Sequence, residues 1–159
     1  MTRDESDRSA DWLPPQFRHP ERVDFADGVH LRPIRATDAE IDYPAVMASR
    51  ERLWGRYGAI WGWPPATMTF EEDRADLARH EREIAAHESF NYAILNADES
   101  ELLGCVYIDP PGEHRRCDAV VSWWVVDDRV ATPLESELER FIPRWLTTDW
   151  PFSAPLFTP

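Results

Sequence analysis

The chain has 159 residues, 43% of them hydrophobic and eight of them tryptophan, so one globular domain with a sizeable core is expected. Thirty acidic residues against 17 basic ones give a net charge of −13, which disfavours binding to nucleic acid or to an anionic membrane surface and suits a cationic small molecule. The N-terminus has no apolar run and no segment is long enough to span a bilayer, so we expect a cytoplasmic protein.

The N-terminal segment is charged and contains several prolines. This composition predicts a loosely ordered arm over residues 1–24, followed by a single domain over residues 25–159. The apolar side chains of the arm are expected to dock on that domain: Trp12, Leu13 and Phe17.

A first strand is predicted over residues 28–36 (GVHLRPIRA), where apolar and polar side chains alternate. Pro33 has no N–H for a strand ladder, which places this strand at an edge of the sheet. Thr37 and Glu40 then have the spacing of a capping box, so a helix is predicted to begin there and to end near residue 50.

The next segment, residues 53–69, is rich in Gly, Pro and aromatic residues and shows no period, which predicts a loop. Two explanations are open for its rings at Tyr57, Trp61 and Trp63. They either cover the core as a lid or form the wall of a substrate site that holds a cation. A second capping box at residues 69–72 predicts a helix that ends near residue 88.

Three strands follow, over residues 90–95, 102–108 and 119–126, and the short turns between them predict an antiparallel meander. Pro133 at a first helical position predicts a helix over residues 133–147, and a weak last strand follows it. A helix that crosses between two strands implies that they are parallel. The expected fold is therefore α/β, with a mixed, twisted sheet and helices on both faces.

Two carboxylates stand where strands end. Asp109 closes the strand over 102–108, and Asp127 follows the strand over 119–126. A carboxylate at such a position can act as a general base for an amine nucleophile. The alternative is that each aspartate only forms a turn.

No metal site is predicted. His80 and His87 lie on one predicted helix without the spacing of a zinc-protease motif, so a solvated helix face explains them best. Cys105, Cys117 and His114 do not have zinc-site spacing either.

The stretch HLRPIRATDAE, residues 30–40, together with the order of the predicted elements, resembles the GNAT acyltransferase superfamily over about residues 28–153. The resemblance implies transfer of an acetyl group from acetyl-CoA to a small amine. It also implies that the backbone at Trp124, Val125 and Val126 pairs with the pantetheine arm, and that the aromatic residues Tyr57, Trp61 and Trp63 lie where the family builds its acceptor pocket.

The family holds the pyrophosphate of acetyl-CoA in a turn with two small residues before a helix. The matching span here is RVATPL, in which Arg129 fits the first position. Thr132 and Leu134 replace the small residues, and Pro133 removes an N–H. Binding of the pyrophosphate is therefore expected to be weak or lost. The chain also stops at residue 159, before the C-terminal helix and strands usual in the family.

Two hypotheses follow for function. The first is an acetyl-CoA-dependent N-acyltransferase acting on a small amine, with weak activity or none, in which Asp109 or Asp127 assists the nucleophile. The second is a non-catalytic module of GNAT fold that binds a ligand in an aromatic cleft or forms a homodimer.

Overall fold

The computed structural model describes residues 12–114 and 116–158. One six-stranded sheet contains the strands β1 (Val23–Ala26), β2 (Val29–Pro33), β3 (Phe90–Asn96), β4 (Leu102–Asp109), β5 (Ala119–Val125) and β6 (Pro155–Thr158). The α-helices are α1 (Ala39–Ala48), α2 (Arg50–Trp61), α3 (Phe70–Ala85) and α4 (Pro133–Thr148).

The strands lie side by side in the order of the sequence. Neighbours from β1 to β5 are antiparallel, whereas β5 and β6 are parallel and are joined by the crossover helix α4. The predicted meander, the predicted α4 and the mixed sheet are therefore confirmed.

Helices cover both faces of this sheet. Tyr57 of α2 packs edge-on against Tyr107 of β4, with ring centroids 5.6 Å apart. Tyr107 is opposite Asn91 in the ladder, so the next residue of β3, Tyr92, points to the other face. There it packs against Trp145 of α4, at a centroid distance of 5.1 Å.

The core follows from helix and strand periodicity. On α4 the residues Leu138, Ile142 and Trp145 are buried at helical spacing, and each such side chain stabilises the fold by about 1.5–3 kcal/mol. Both Trp123 and Trp124 of β5 are buried, as expected for a central strand that is covered on its two faces.

The placement of the first predicted strand at an edge was wrong. β1 pairs with the outer side of β2, and Pro33 is the last residue of β2. A proline at a strand end is compatible with an interior strand because the ladder needs no further N–H there.

The N-terminal side chains contact the domain within the described residues. Trp12 donates from Nε1 to the carbonyl of Asp118 at 2.8 Å and stacks on Phe152. Leu13 is buried, and Phe17 packs on Trp150. Residues 1–11 of the predicted arm lie outside the described residues.

The prediction of a loop over 53–69 was wrong in its first half, which forms α2. Leu53 and Tyr57 are buried four positions apart, and Trp61 stacks on Tyr57 one turn later. This stripe packs on the sheet and outweighs the two internal glycines, which each cost about 1 kcal/mol in a helix. The helix ends at Gly62, whose φ of 61° is left-handed.

The capping box at residues 69–72 is confirmed, since Thr69 Oγ1 accepts from the Glu72 N–H at 3.2 Å. The one predicted at Thr37 is displaced by two residues. There the Asp38 side chain accepts from the backbone N–H of Arg35 at 2.8 Å, and a short 3₁₀ turn precedes α1.

The motif at residues 30–40 has a structural explanation. The Arg32 guanidinium, nearly buried, donates two hydrogen bonds to Asp38, at 2.9 and 2.8 Å, and a third to Glu99 at 2.8 Å. Hydrogen bonds from Arg32 and His30 lower the pKa of Glu99 to about 2. This ion pair ties β2 to the start of α1 and to the β3–β4 turn.

Candidate functional site

A cavity of about 510 Å³ opens between α3, the segment that follows α2, and the ends of β3 and β4. We call it the acidic cavity because six carboxyl groups line it: Asp42, Glu72, Asp73, Asp76, Glu83 and Asp109. Part of its wall is aromatic: Trp61, Trp63 and Tyr107.

The aromatic wall is built by the end of α2. Trp61 is 45% exposed, stacks on Tyr57 with centroids 4.6 Å apart and meets Tyr107 edge-on at 5.1 Å. Trp63 is half-buried and contacts the rings of Tyr107 and Trp124. At least one tryptophan is thus partly exposed beside a cavity that contains a carboxylate, which is the geometry of a pocket wall rather than of a core lid.

Asp109 stands at the end of β4 with its side chain on this cavity. Burial raises the pKa of its carboxyl to about 7, and the negative charge of Glu83 adds to the rise. Glu83 is held by Ser89, whose hydroxyl donates to it at 2.5 Å. Asp109 therefore changes protonation close to neutral pH, as a general base must.

Asp42 of α1 and Asp73 of α3 form a second acidic group, which the sequence did not reveal. Their residues are 3% and 1% exposed. Burial, followed by the charge of Asp73, raises the pKa of Asp42 well above its usual value. Burial also raises the pKa of Asp73, and the neighbouring Asp42 side chain offsets part of that rise.

Two buried oxygen atoms of this wall lack donors. Asn91 is 3% exposed, and its Oδ1 has no hydrogen-bond donor among the described residues. Asp73 Oδ2 has no donor there either. A buried acceptor without a donor costs about 1–3 kcal/mol, so this wall of the cavity carries a local cost in stability.

Basic side chains occupy the same wall along α3. Arg79 bridges Asp76 at 3.1 Å and Glu83 at 3.5 Å, three and four positions away on the helix. His80 does not lie on a solvated helix face as predicted. It is half-buried on the cavity, and burial lowers its pKa, so it is neutral at pH 7.

The second predicted base, Asp127, is elsewhere. It lies in a 3₁₀ turn after β5, exposed, with its carboxylate 2.7 Å from Arg52 Nε. In the β4–β5 ladder Asp109 faces Val120, whereas Gly104 faces Val125, next to that turn. Asp109 and Asp127 are therefore at opposite ends of the strand pair.

The strand that was predicted to bind pantetheine is β5. Part of its edge has no neighbouring strand, and side chains of α2 cover that part. β6 pairs with β5 only up to Ser122, so within the described residues the backbone of Trp123 and Val125 has no strand partner on that side. Two residues of α2, the arginine pair Arg52 and Arg56, donate to it instead. Arg56 Nη1 donates to the carbonyl of Trp123 at 2.6 Å, and Arg52 Nη2 donates to that of Val125.

The side chains of the same strand are also engaged or covered. Trp124 is buried and donates from Nε1 to the hydroxyl of Tyr107 at 2.9 Å. Val125 is buried and Val126 half-buried. The Val126 N–H points to β4, where it donates to the carbonyl of Leu103 at 2.9 Å.

Most N–H groups of the turn before α4, residues 129–134, are engaged or missing, and that of Leu134 is the exception. Arg129 donates to the Val126 carbonyl, Val130 to that of Asp127 and Thr132 to that of Arg129. Ala131 donates to the Glu135 carboxylate at 3.0 Å, and Pro133 has no N–H. A phosphate at a helix N-terminus needs several such groups free, so this turn fits the pyrophosphate of acetyl-CoA poorly.

Other kinds of site receive no support. Within residues 12–114 and 116–158, no group of three or more His, Cys, Asp or Glu side chains could hold a metal ion. Cys105 and Cys117 are free thiols. No helix in the described part of the chain is long and apolar enough to cross a membrane.

No protein-family model and no curated protein sequence matches the chain. Solved structures do. FdhC, described as a nucleotide-linked sugar GNAT, shares 14% identity over 83% of this chain and 69% of its own, with a TM-score of 0.56. The chain has the GNAT fold. A likeness at such identity establishes the fold alone.

Two further structures of this fold are acetyltransferases. RimL, a ribosomal L7/L12 α-N-protein acetyltransferase in complex with coenzyme A, shares 15% identity over 82% of this chain and 71% of its own, with a TM-score of 0.63. The ribosomal-protein-S5-alanine acetyltransferase from Vibrio fischeri shares 14% identity over 79% of this chain, with a TM-score of 0.58. The chain spans 66% of that enzyme's length.

Proposed function

We propose that the chain binds a small organic amine, as its ammonium ion, in the acidic cavity. The observation that carries this proposal is the composition of the cavity wall, where six carboxyl groups face Arg79 and His80. The wall is negative because its carboxyl groups outnumber Arg79, the one permanent cation on it.

The size and the aromatic side of the cavity agree with such a ligand. A volume of about 510 Å³ falls in the range of small-molecule sites. A cation against the face of Trp61 or Trp63 gains about 0.5–2 kcal/mol, more as water leaves the site. Tyr57 contributes indirectly, because it holds the Trp61 ring in place by stacking.

Acyl transfer to that amine is the second candidate function. The GNAT fold favours it, as does Asp109, whose pKa of about 7 suits removal of a proton from an ammonium group. Acetyl-CoA is the acyl donor that the fold implies, but the covered β5 edge and the turn at residues 129–134 do not fit it. We therefore favour amine binding over acyl transfer as the function of this chain.

Isothermal titration calorimetry with butylamine tests the proposal. We expect binding by the wild-type chain and at least a fivefold loss of affinity in Trp61→Ala. The matched control is Trp54→Ala, since Trp54 is equally exposed on α2 and does not line the cavity. Absence of binding, or equal losses in the two variants, would contradict the proposal. Release of free CoA from acetyl-CoA and butylamine would establish the second candidate.

A further inference from the structure

The segment that precedes β1 is held on the domain by side-chain contacts. We call residues 14–21 the strap; Leu13 is buried on one side of it, and β1 begins at Val23 on the other. Within the described residues, its one backbone–backbone hydrogen bond is internal, from the Phe17 N–H to the Pro14 carbonyl at 3.0 Å. A segment without backbone hydrogen bonds to its surroundings opens at a low cost in free energy.

A pair of imidazoles lies among the contacts that hold the strap. His19 Nδ1 and His87 Nε2, just after α3, are 3.1 Å apart, which is a hydrogen bond between the two rings. Both rings pack on Phe90, with centroid distances of 5.3 and 5.4 Å. The Tyr92 hydroxyl donates to the Pro20 carbonyl at 2.6 Å. Between pH 5 and 8 the imidazoles change charge, whereas the phenol and the other aromatic rings do not.

The protonation state of the two rings decides whether their hydrogen bond exists. While at least one ring is neutral, one nitrogen donates and the other accepts. When both rings are protonated, both nitrogens are donors, so the hydrogen bond is lost and two like charges remain in contact. The second protonation therefore favours a state in which the rings are apart.

The groups around the pair determine the direction of its titration. Burial lowers the pKa of His19, and the charge of His87 lowers it further, whereas the charge of Glu21 raises it. Glu81 of α3 and Arg35, which follows β2, have opposite charges and line the same surface groove as His19. The closed strap thus favours a neutral His19, so a fall in pH below the ordinary value of 6.5 favours release.

We propose that the strap is a pH-sensitive latch. The hydrogen bond between His19 and His87 holds it on the domain at neutral pH, and protonation of both rings releases it in acid. Release uncovers Phe90 and Trp150, on which the strap packs, while the sheet and its helices stay folded. The latch is independent of the proposed function, because neither histidine lines the acidic cavity.

Limited proteolysis of the full chain tests the latch. A glutamyl endopeptidase that is active in mild acid and at neutral pH cleaves after Glu21, and a short unstructured peptide in the same tube corrects for the protease's own pH dependence. The rate of cleavage follows the released population. We expect the corrected rate at Glu21 to rise at least tenfold from pH 7.5 to pH 5.0. The rate at Glu101, in the exposed β3–β4 turn, should change less than twofold.

Two neutral substitutions and one control assign the release to the imidazole pair. His19→Gln removes the charge and keeps a hydrogen-bonding side chain. His87→Asn does the same at a residue whose φ of 54° is left-handed, a conformation that Asn adopts more readily than most residues. In both variants we expect the rate at Glu21 to change less than twofold between the two pH values. The control His114→Gln, in the exposed β4–β5 turn, should show the wild-type rise.

Three results would overturn the latch. The first is an unchanged rate at Glu21 in the wild-type chain. The second is the same acid-dependent rise in the neutral variants, since release would then not depend on the pair. The third is a parallel rise at Glu101, since acid would then unfold the whole domain. If one neutral variant does not fold, as judged by near-UV circular dichroism, the other decides.

Discussion

The acidic cavity and the free edge of β5 belong to the same sheet, and their polar atoms are satisfied in opposite ways. At the cavity wall, Asn91 Oδ1 and Asp73 Oδ2 have no donor among the described residues. At the β5 edge, the carbonyls of Trp123 and Val125 already accept from the arginine pair. A site prepared for a ligand leaves hydrogen-bonding groups free, whereas a closed one satisfies them within the chain.

The same contrast extends to charge. The cavity concentrates carboxylates that an organic cation can neutralise. Before the N-terminus of α4, where a helix can hold an anion, the chain's own Glu135 carboxylate accepts from the Ala131 N–H. The acidic cavity thus concentrates negative charge in an open space, whereas the groups at the β5 edge and before α4 are largely engaged within the chain.

The largest effect is expected from Asp109, whose burial in the cavity has a cost that depends on pH. Its folded-state pKa of about 7 lies above the ordinary value of 3.8, so the wild-type chain loses stability as the pH rises towards and through 7. Asp109→Asn removes that loss. We expect the variant to be more stable than the wild type by on the order of 2–4 kcal/mol at pH 8, and equal to it near pH 4.

Chemical denaturation of both proteins at several pH values measures this difference. Glu101→Gln, on the exposed β3–β4 turn, is the control and should follow the wild type. A constant difference between Asp109→Asn and wild type across this pH range would contradict the assignment of a buried, titrating carboxyl to the cavity.

The next effect concerns the β5 edge at Trp123 and Val125 and the start of α4. Replacing both members of the arginine pair by alanine frees the Trp123 and Val125 carbonyls. Glu135→Ala frees the Ala131 N–H, and Pro133→Gly adds an N–H at the start of α4. With all four changes we expect acetyl-CoA affinity to rise on the order of tenfold to a hundredfold, since each charge-assisted hydrogen bond contributes about 1.5–3 kcal/mol.

Titration of acetyl-CoA into the quadruple variant and the wild type checks this expectation. Butylamine affinity serves as the internal control and should stay within twofold, because none of the four residues lines the acidic cavity. Unchanged acetyl-CoA affinity would show that the hydrogen bonds at this edge are not what excludes the cofactor.

The smallest effect is expected for the stability of Trp61→Ala. The ring is 45% exposed at the end of α2, so its removal leaves no closed void in the core. We expect a loss of no more than about 1 kcal/mol in the free energy of unfolding, against about 3–5 kcal/mol for a buried tryptophan. A loss in the second range, measured by thermal or chemical unfolding, would mean that Trp61 is part of the core.

Much of the fold was predictable from local sequence patterns. The β3–β5 meander follows from alternation and turns, and the start of α4 follows from Pro133. The cavity wall was anticipated at Trp61, Trp63 and Asp109, because aromatic rings before a proline pair and a carboxylate at a strand end are unusual enough to be noticed.

The rest was hidden because sequence does not show burial. Asp73 follows two acidic residues in the first turn of α3, where such residues usually face solvent and complement the helix dipole. Asn91 is one polar residue in an alternating strand. The arginine pair escaped notice because the glycines within α2 predicted a loop, and only the stripe of Leu53, Tyr57 and Trp61 at helical spacing could have corrected this.

The most direct test of the account is a pair of calorimetric titrations on one preparation of the wild-type chain at pH 7.5, a condition in which amines are protonated. Butylamine is titrated into one sample and acetyl-CoA into the other. The account predicts saturable binding of butylamine and no binding of acetyl-CoA up to millimolar concentration. Low-micromolar binding of acetyl-CoA together with no binding of butylamine would contradict it.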